Sequence, residues 1–263
     1  MDNNEYLNLP NADYAIIEHP NGTNNAIEVG LVQDHRFVFY FWFKWWKKTS
    51  RKLNETKNKA PSLVTIDWHR DLCAPCKTEK QDLDNLNLNS YKEVALFSWD
   101  KLNPLNDGHI LSAAYLNIIG DIYVLCKQDG FEEESFVDRW GNEHKIVCFE
   151  KKEELYQELI ENNILEVYFD IDLDYFTESD DTCGGGEDLV LMDDDEIISL
   201  LDTRSSLIKW ILKRTEGMTI ATEPKCCGGL SNSNKIYSLL DNTLFDNHLF
   251  SKHAKWKHLN KRN

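Results

Sequence analysis

Basic residues are scarce in this chain: 29 Lys+Arg stand against 45 Asp+Glu over 263 residues, a formal net charge of -16. A general nucleic-acid binder needs a basic face for phosphates, and this balance excludes one. Long apolar runs are missing too. No stretch reaches the roughly 18 residues of a membrane-crossing helix, and the opening Met1-Asp2-Asn3-Asn4-Glu5 lacks the charged-then-apolar pattern of a leader. The expectation is a cytoplasmic protein that meets no membrane. Only 12 Gly and 6 Pro, beside 41% hydrophobic residues, exclude a collagenous or disordered chain. The length suits one large domain spanning residues 1–263.

The seven cysteines, Cys73, Cys76, Cys126, Cys148, Cys183, Cys226 and Cys227, are odd in number and indicate no disulfide framework. Cys73-Ala74-Pro75-Cys76 has redox-motif spacing, but such a pair belongs at a helix start early in a small βαβ domain, so reduced thiols near a loop are expected.

Short β-rich runs alternate with helical ones. Strands are expected at Tyr14 to Ile17, Ala26 to Val32, Leu63 to Ile66, Val94 to Phe97, Ile122 to Cys126, Lys145 to Phe149, Val167 to Ile171 and Met218 to Ala221. Helices are expected at Arg36 to Lys48, Gly108 to Ile118, Lys152 to Glu161, Asp193 to Arg214 and Asn232 to Leu240. Several of the strand runs are apolar throughout, as strands buried on both faces are, so the pattern gives an α/β fold with a mainly parallel sheet. Phe37-Val38-Phe39-Tyr40-Phe41-Trp42-Phe43 is apolar nearly all round and belongs in the core. The glycine-rich, acidic Glu178 to Asp188 reads as a mobile loop, and the basic Lys252 to Asn263 as a solvated, partly frayed end.

Chemistry concentrates where apolar strands end. Leu63-Val64-Thr65-Ile66 runs into Asp67, His69 and Asp71, spaced two apart and so on one side of an extended chain. Val167-Tyr168-Phe169 runs into Asp170, Asp172 and Asp174. Two more strands end at His35 and at Glu223. Converging buried carboxylates require cations to neutralise them, and strand C-termini are where open α/β sheets bind ligands. An oxygen-rich set with two imidazoles suits a pair of Mn²⁺ ions better than a structural zinc.

Asp67-Trp68-His69-Arg70-Asp71 resembles the Asp-x-His-x-Asp motif of the ureohydrolases of the arginase and deacetylase superfamily, and Phe169-Asp170-Ile171-Asp172 their Asp-x-Asp strand end. Asp34-His35 is similar to their first metal histidine and Glu223 to the glutamate that holds the guanidinium, in family order over residues 27 to 225. The run Asp170 to Phe176 and the aromatic helix after His35 look like the divergent branch containing the peptide arginases, which convert arginine side chains of ribosomally made precursor peptides to ornithine and urea. Departures from the free-arginine enzymes agree with this narrower likeness. Val32-Gln33 replaces their Gly-Gly, and Leu72-Cys73-Ala74-Pro75-Cys76 replaces the loop that grips the α-groups of a free amino acid.

The resemblance implies a three-layer arginase-like fold, two Mn²⁺ ions that acidify a bridging water, and an arginine-containing precursor peptide as partner. A homo-oligomer is compatible with it. By carry-over, His35, Asp67, Asp71 and Asp170 hold one ion, and Asp67, His69, Asp170 and Asp172 the other. Asp67 and Asp170 bridge, while Asp174 is an outer supporter or an alternative ligand. Asp71, Glu223 and a proton-shuttling histidine carry the catalytic work, Glu223 by pairing with the guanidinium. No histidine follows Asp71 at the family's short distance, so His109 is the shuttle candidate, with His144 behind it. The competing readings are a zinc deacetylase-like amidohydrolase, which would want an adjacent histidine pair that the chain does not have, a ureohydrolase of free guanidino compounds, and a degenerate member that only binds a peptide.

Overall fold

A computed structural model describes residues 7–23, 25–50, 60–128, 133–179 and 189–260. The chain opens with β1 (Ala12–Glu18) and β2 (Ala26–Val32), then a 3-10 turn (His35–Phe37) leading into α1 (Val38–Ser50). There follow β3 (Ser62–Ile66), α2 (Lys77–Asn85), α3 (Tyr91–Asp100), α4 (His109–Tyr115), β4 (Ile122–Leu125), β5 (Glu134–Val137), β6 (Glu143–Phe149) and α5 (Lys152–Glu161). Next come β7 (Val167–Asp172), a second 3-10 turn (Leu173–Phe176), and the short β8 (Thr177–Glu178) and β9 (Val190–Leu191). The chain continues through α6 (Asp194–Leu200), α7 (Ser206–Leu212), β10 (Thr215–Ala221), α8 (Leu230–Leu244) and the short β11 (Phe245–Asp246) and β12 (Lys255–Trp256).

Eight strands form one sheet in the order β1-β2-β10-β7-β3-β4-β6-β5. The six inner strands are parallel, and β1 and β5 are antiparallel edges. Alternate residues of each inner strand serve two separate cores. Val64, Phe169 and Ile220 pack with α5, α6, α7 and α8 on one face, while Leu63, Tyr168 and Ala221 pack with α1, α3 and α4 on the other. This is the expected three-layer α/β arrangement, and burial on both faces is why its strands read as apolar runs. Among the described residues no helix is long and apolar enough to cross a membrane.

The aromatic helix lies in the core as expected, with residues 37 to 43 all buried. It approaches the sheet over two glycines. A methyl group at Gly30 would stand 2.7 Å from Phe41, and one at Gly217 would run into the Trp45 indole. Two of its lysines are buried as well: Lys44 pairs with buried Glu28 at 2.5 Å, and Lys47 donates to the Leu88 carbonyl at 2.6 Å.

Three expectations are corrected. Val94 to Phe97 is the middle of α3, not a strand: Ser90 caps the helix by accepting from the Glu93 amide at 3.2 Å, and a short apolar run has no periodicity that separates the two states. The segment Asp193 to Arg214 is two helices, interrupted where the Asp202 carboxylate accepts the Arg204 amide and Ser205 caps α7. The acidic run at Asp194, Asp195 and Glu196 does occupy a helix first turn. Third, the C-terminal segment is docked rather than frayed over its described residues. Trp256 is fully buried and its indole N–H donates to the Glu18 carbonyl at 2.7 Å. The greater part of the glycine-rich segment, 180–188, lies outside the described residues, as does Cys183. Cys73 and Cys76 are exposed free cysteines just before α2, where Cys76 occupies the N-cap.

Candidate metal centre

The C-terminal ends of β2, β3, β7 and β10 bring the expected residues together. His35 follows β2, Asp67 follows β3, Asp172 ends β7 and Glu223 follows β10. His35 Nδ1 lies 3.3 Å from Asp67 Oδ2, 3.0 Å from Asp71 Oδ2 and 3.0 Å from Asp172 Oδ2. The nitrogen is buried and meets no hydrogen-bond partner in acceptable geometry. Its ring is turned by the opposite nitrogen, Nε2, which sits 2.8 Å from Asp170 Oδ2. Asp67, His69 and Asp174 make a second group, with His69 Nδ1 3.0 Å from Asp174 Oδ2. Asp67 belongs to both groups.

The backbone explains the positions. Asp67 Oδ1 accepts the His69 amide at 2.7 Å, and Asp174 Oδ1 accepts the Trp68 amide at 3.2 Å, so the loop after β3 folds onto the second acidic stretch. Asp71 has φ 52, a left-handed turn that swings its carboxylate back toward His35. Asp172 Oδ1 accepts the Asp174 amide at 3.1 Å and starts the 3-10 turn, which takes Asp174 out of strand pitch and toward His69.

Asp170 is a correction. Both of its oxygens are taken: Oδ2 accepts from Thr65 at 2.8 Å and meets His35 Nε2, and Oδ1 accepts from Thr219 at 2.5 Å. Thr65, Asp170 and Thr219 are register partners on β3, β7 and β10, a hydrogen-bonded row across three strands. Asp170 therefore orients His35 rather than bridging a pair of ions, and Asp172 and Asp174 face the centre. His109 comes close, its ring centroid 4.3 Å from that of His35, but its side chain is 0% exposed. Nδ1 is tied to the Asn106 carbonyl at 2.9 Å and Nε2 is sealed in without a partner. A proton shuttle that must meet substrate or solvent does not fit that placement. His144 is far from this end of the sheet, near the start of β6 with Nδ1 on the Gly120 carbonyl.

Glu223 was expected here, but its contacts, and Cys226 beside it, were not foreseen from the sequence. Glu223, at φ 27 and 8% exposed, accepts the His35 amide at 2.9 Å and a hydrogen bond from Asn106 Nδ2, both at Oε1. Cys226 joins Asp174 and Glu223 in a further cluster, and burial together with Glu223 pushes its thiol pKa up. No motif signals either contact, because each depends on a turn whose partners are far apart in the chain.

The electrostatics are those of a crowded, buried acidic cluster. Burial, then Asp71 and Asp174, raises Asp67 well above the carboxylate range, and burial with Asp174 and Glu223 does the same to Asp172. Burial raises Asp71 to about 6 against the opposing pull of His35. Burial disfavours a charge on His69, yet Asp174 and Asp67 hold it up to about 12. Burial and the neighbouring His35 push His109 down, so it is neutral. His35 Nδ1, Asp67 Oδ2 and Asp174 Oδ2 are all buried without a hydrogen-bond partner. Hard divalent cations fit this donor set of imidazoles and carboxylates, with Asp67 between two positions.

No family model matches the chain, and no curated protein or solved structure is similar to it.

Proposed function

We propose that this centre holds two divalent cations, Mn²⁺ by the hardness of its donors, and that the protein is a peptide arginase: a ureohydrolase-type enzyme that hydrolyses arginine side chains in a peptide to ornithine and urea. One observation carries the reading. His35 Nδ1 is aimed, unbonded, at three carboxylate oxygens within 3.3 Å, and bound cations would offset the cost of burying such a convergence of acids. The order of motifs along the chain, from His35 through Asp67-x-His69-x-Asp71 and Asp172-x-Asp174 to Glu223, supports the ureohydrolase type.

His35, Asp67, Asp71 and Asp172 would hold one ion, and Asp67, His69 and Asp174 the other. Bound there, the pair supplies Lewis acidity and a water acidified toward neutrality. The chain's own residues supply position. Asp170 accepts a hydrogen bond from His35 Nε2 and so turns Nδ1 toward the position a metal would take. Glu223 offers its carboxylate to the cationic guanidinium, pulling the carbon toward the centre. The proton for the departing amine is not assigned to His109.

The test is incubation of the Mn²⁺-loaded protein with an arginine-containing peptide, read by mass spectrometry for loss of one cyanamide unit per arginine, beside the same assay on free arginine. Turnover of the peptide with a higher kcat/KM than free arginine is expected. Equal or better turnover of the free amino acid would move the reading to a small-guanidine ureohydrolase, and release of an acyl group from an amine with one bound zinc would replace it with a deacetylase.

A further inference from the structure

We infer that Asn106 is a substrate-binding residue that, with Glu223, forms a two-acceptor clamp for the guanidinium; this rests on the ureohydrolase reading above. Glu223 Oε1 already accepts two hydrogen bonds, one from the His35 backbone amide at 2.9 Å and one from Asn106 Nδ2. Oε2 carries neither of these bonds, and the Cys226 thiol is the carboxylate's further neighbour. The amide of Asn106 has no freedom in its orientation, because a carboxylate accepts only, so the nitrogen must face Glu223 and the oxygen must face away. Asn106 Oδ1 is then a buried acceptor with no partner.

An unpartnered carbonyl oxygen on the residue that bonds Glu223, at the same end of the sheet as the candidate ligands, offers with that carboxylate two acceptors to a planar cation with several N–H donors. An ammonium, a compact point charge, gains less from two acceptors on separate side chains. The clamp therefore selects arginine over lysine. Its position is fixed by the backbone: Asn106 has φ 64, a left-handed conformation that asparagine tolerates, and its carbonyl accepts from His109 Nδ1. One residue thus orders Glu223 with its amide nitrogen, His109 with its carbonyl, and substrate with its side-chain oxygen.

Asn106→Gly removes the amide while keeping the left-handed backbone and the carbonyl that holds His109. In the Mn²⁺-loaded protein, calorimetry with an arginyl peptide should show affinity about tenfold or more below wild type, with metal content unchanged and with preference over the matched lysyl peptide reduced. Wild-type affinity in the variant would overturn the role of Asn106 and leave the ureohydrolase reading intact. Loss of metal in the variant would equally overturn it, by making Asn106 a support of the centre. A metal-loaded wild type that does not bind the arginyl peptide would remove the parent reading and this one together. Circular dichroism of the variant checks the fold, and Asn106→Ser, which keeps a small polar side chain without the amide, gives the same comparison if Asn106→Gly is unstable.

Discussion

Asp170 Oδ2 lies 2.8 Å from His35 Nε2, on the far side of the ring from the nitrogen that meets Asp67, Asp71 and Asp172. The carboxylate accepts, so Nε2 donates to it and Nδ1 is the nitrogen turned to the centre; burial works against a charge on His35, yet Asp170 and Asp172 raise its pKa well above the usual imidazole value. Asp170 is an aiming residue, and its own oxygens are braced by Thr65 and Thr219.

It follows that Asp170→Asn and Asp172→Asn differ in kind. The first should weaken metal affinity by about 10- to 100-fold with the stoichiometry intact at saturating Mn²⁺, the usual cost of losing a residue that orients a metal ligand. The second removes a group that faces the ion and should lower the stoichiometry itself. Titration calorimetry with elemental analysis separates them, and loss of sites in Asp170→Asn would restore it as a ligand.

Asp67 links a group around His35 to the group around His69, whereas Asp174 belongs to the His69 group and to a further group with Glu223 and Cys226. Asp67→Ala should therefore abolish turnover and leave little bound metal, while Asp174→Ala should retain about one ion in place of two. Full loading of Asp67→Ala would refute the shared position.

How far these roles can be seen in the sequence depends on local geometry. That His35, Asp67, Asp172 and Glu223 converge was legible, because each follows an apolar run that had to be a buried parallel strand. Which aspartate of Asp170, Asp172 and Asp174 faces the ions was not. At a spacing of two, all three share one side of an extended chain; the Thr65 and Thr219 hydroxyls set Asp170 apart, and the 3-10 turn beginning at Leu173 sets Asp174 apart. Asn106 was invisible for another reason, since its partner Glu223 is 117 residues away. Val94 to Phe97 misled because its apolar run is too short to show a period, although Ser90 and Glu93 stood as a helix start.

The aromatic helix makes a prediction about packing. Gly217→Ala sets a methyl against the Trp45 ring and Gly30→Ala sets one 2.7 Å from Phe41. Both neighbours are buried, so each variant should lose about 1–3 kcal/mol by overpacking. Denaturant midpoints measure this, and an unchanged midpoint in Gly217→Ala would show that α1 shifts freely over β10.

The buried pair Lys44–Glu28 should behave asymmetrically. Lys44→Met leaves Glu28, 8% exposed, beside the half-exposed Lys48 at 3.3 Å, and should destabilise by about 3 kcal/mol or more. Adding Glu28→Leu should recover most of that loss, because the stranded charge is gone. Chemical denaturation of the two single variants and the double variant decides it, and a double variant no better than Lys44→Met would assign the loss to the packing of Lys44 over Phe41 and Tyr14.

The hydrogen-bonded row of Thr65, Asp170 and Thr219 spans three neighbouring strands, the last of which in the chain, β10, lies between β2 and β7. Until β10 has entered between β2 and β7, Asp170 lacks one of its braces, His35 is not steered, and Glu223 is not yet in place to receive the His35 amide. The nascent chain offers a cation only the local cluster around Asp67 and His69, because the remaining donors arrive with the last inner strand. A metal held as proposed would therefore be captured at full strength only late in folding, when β10 completes the centre.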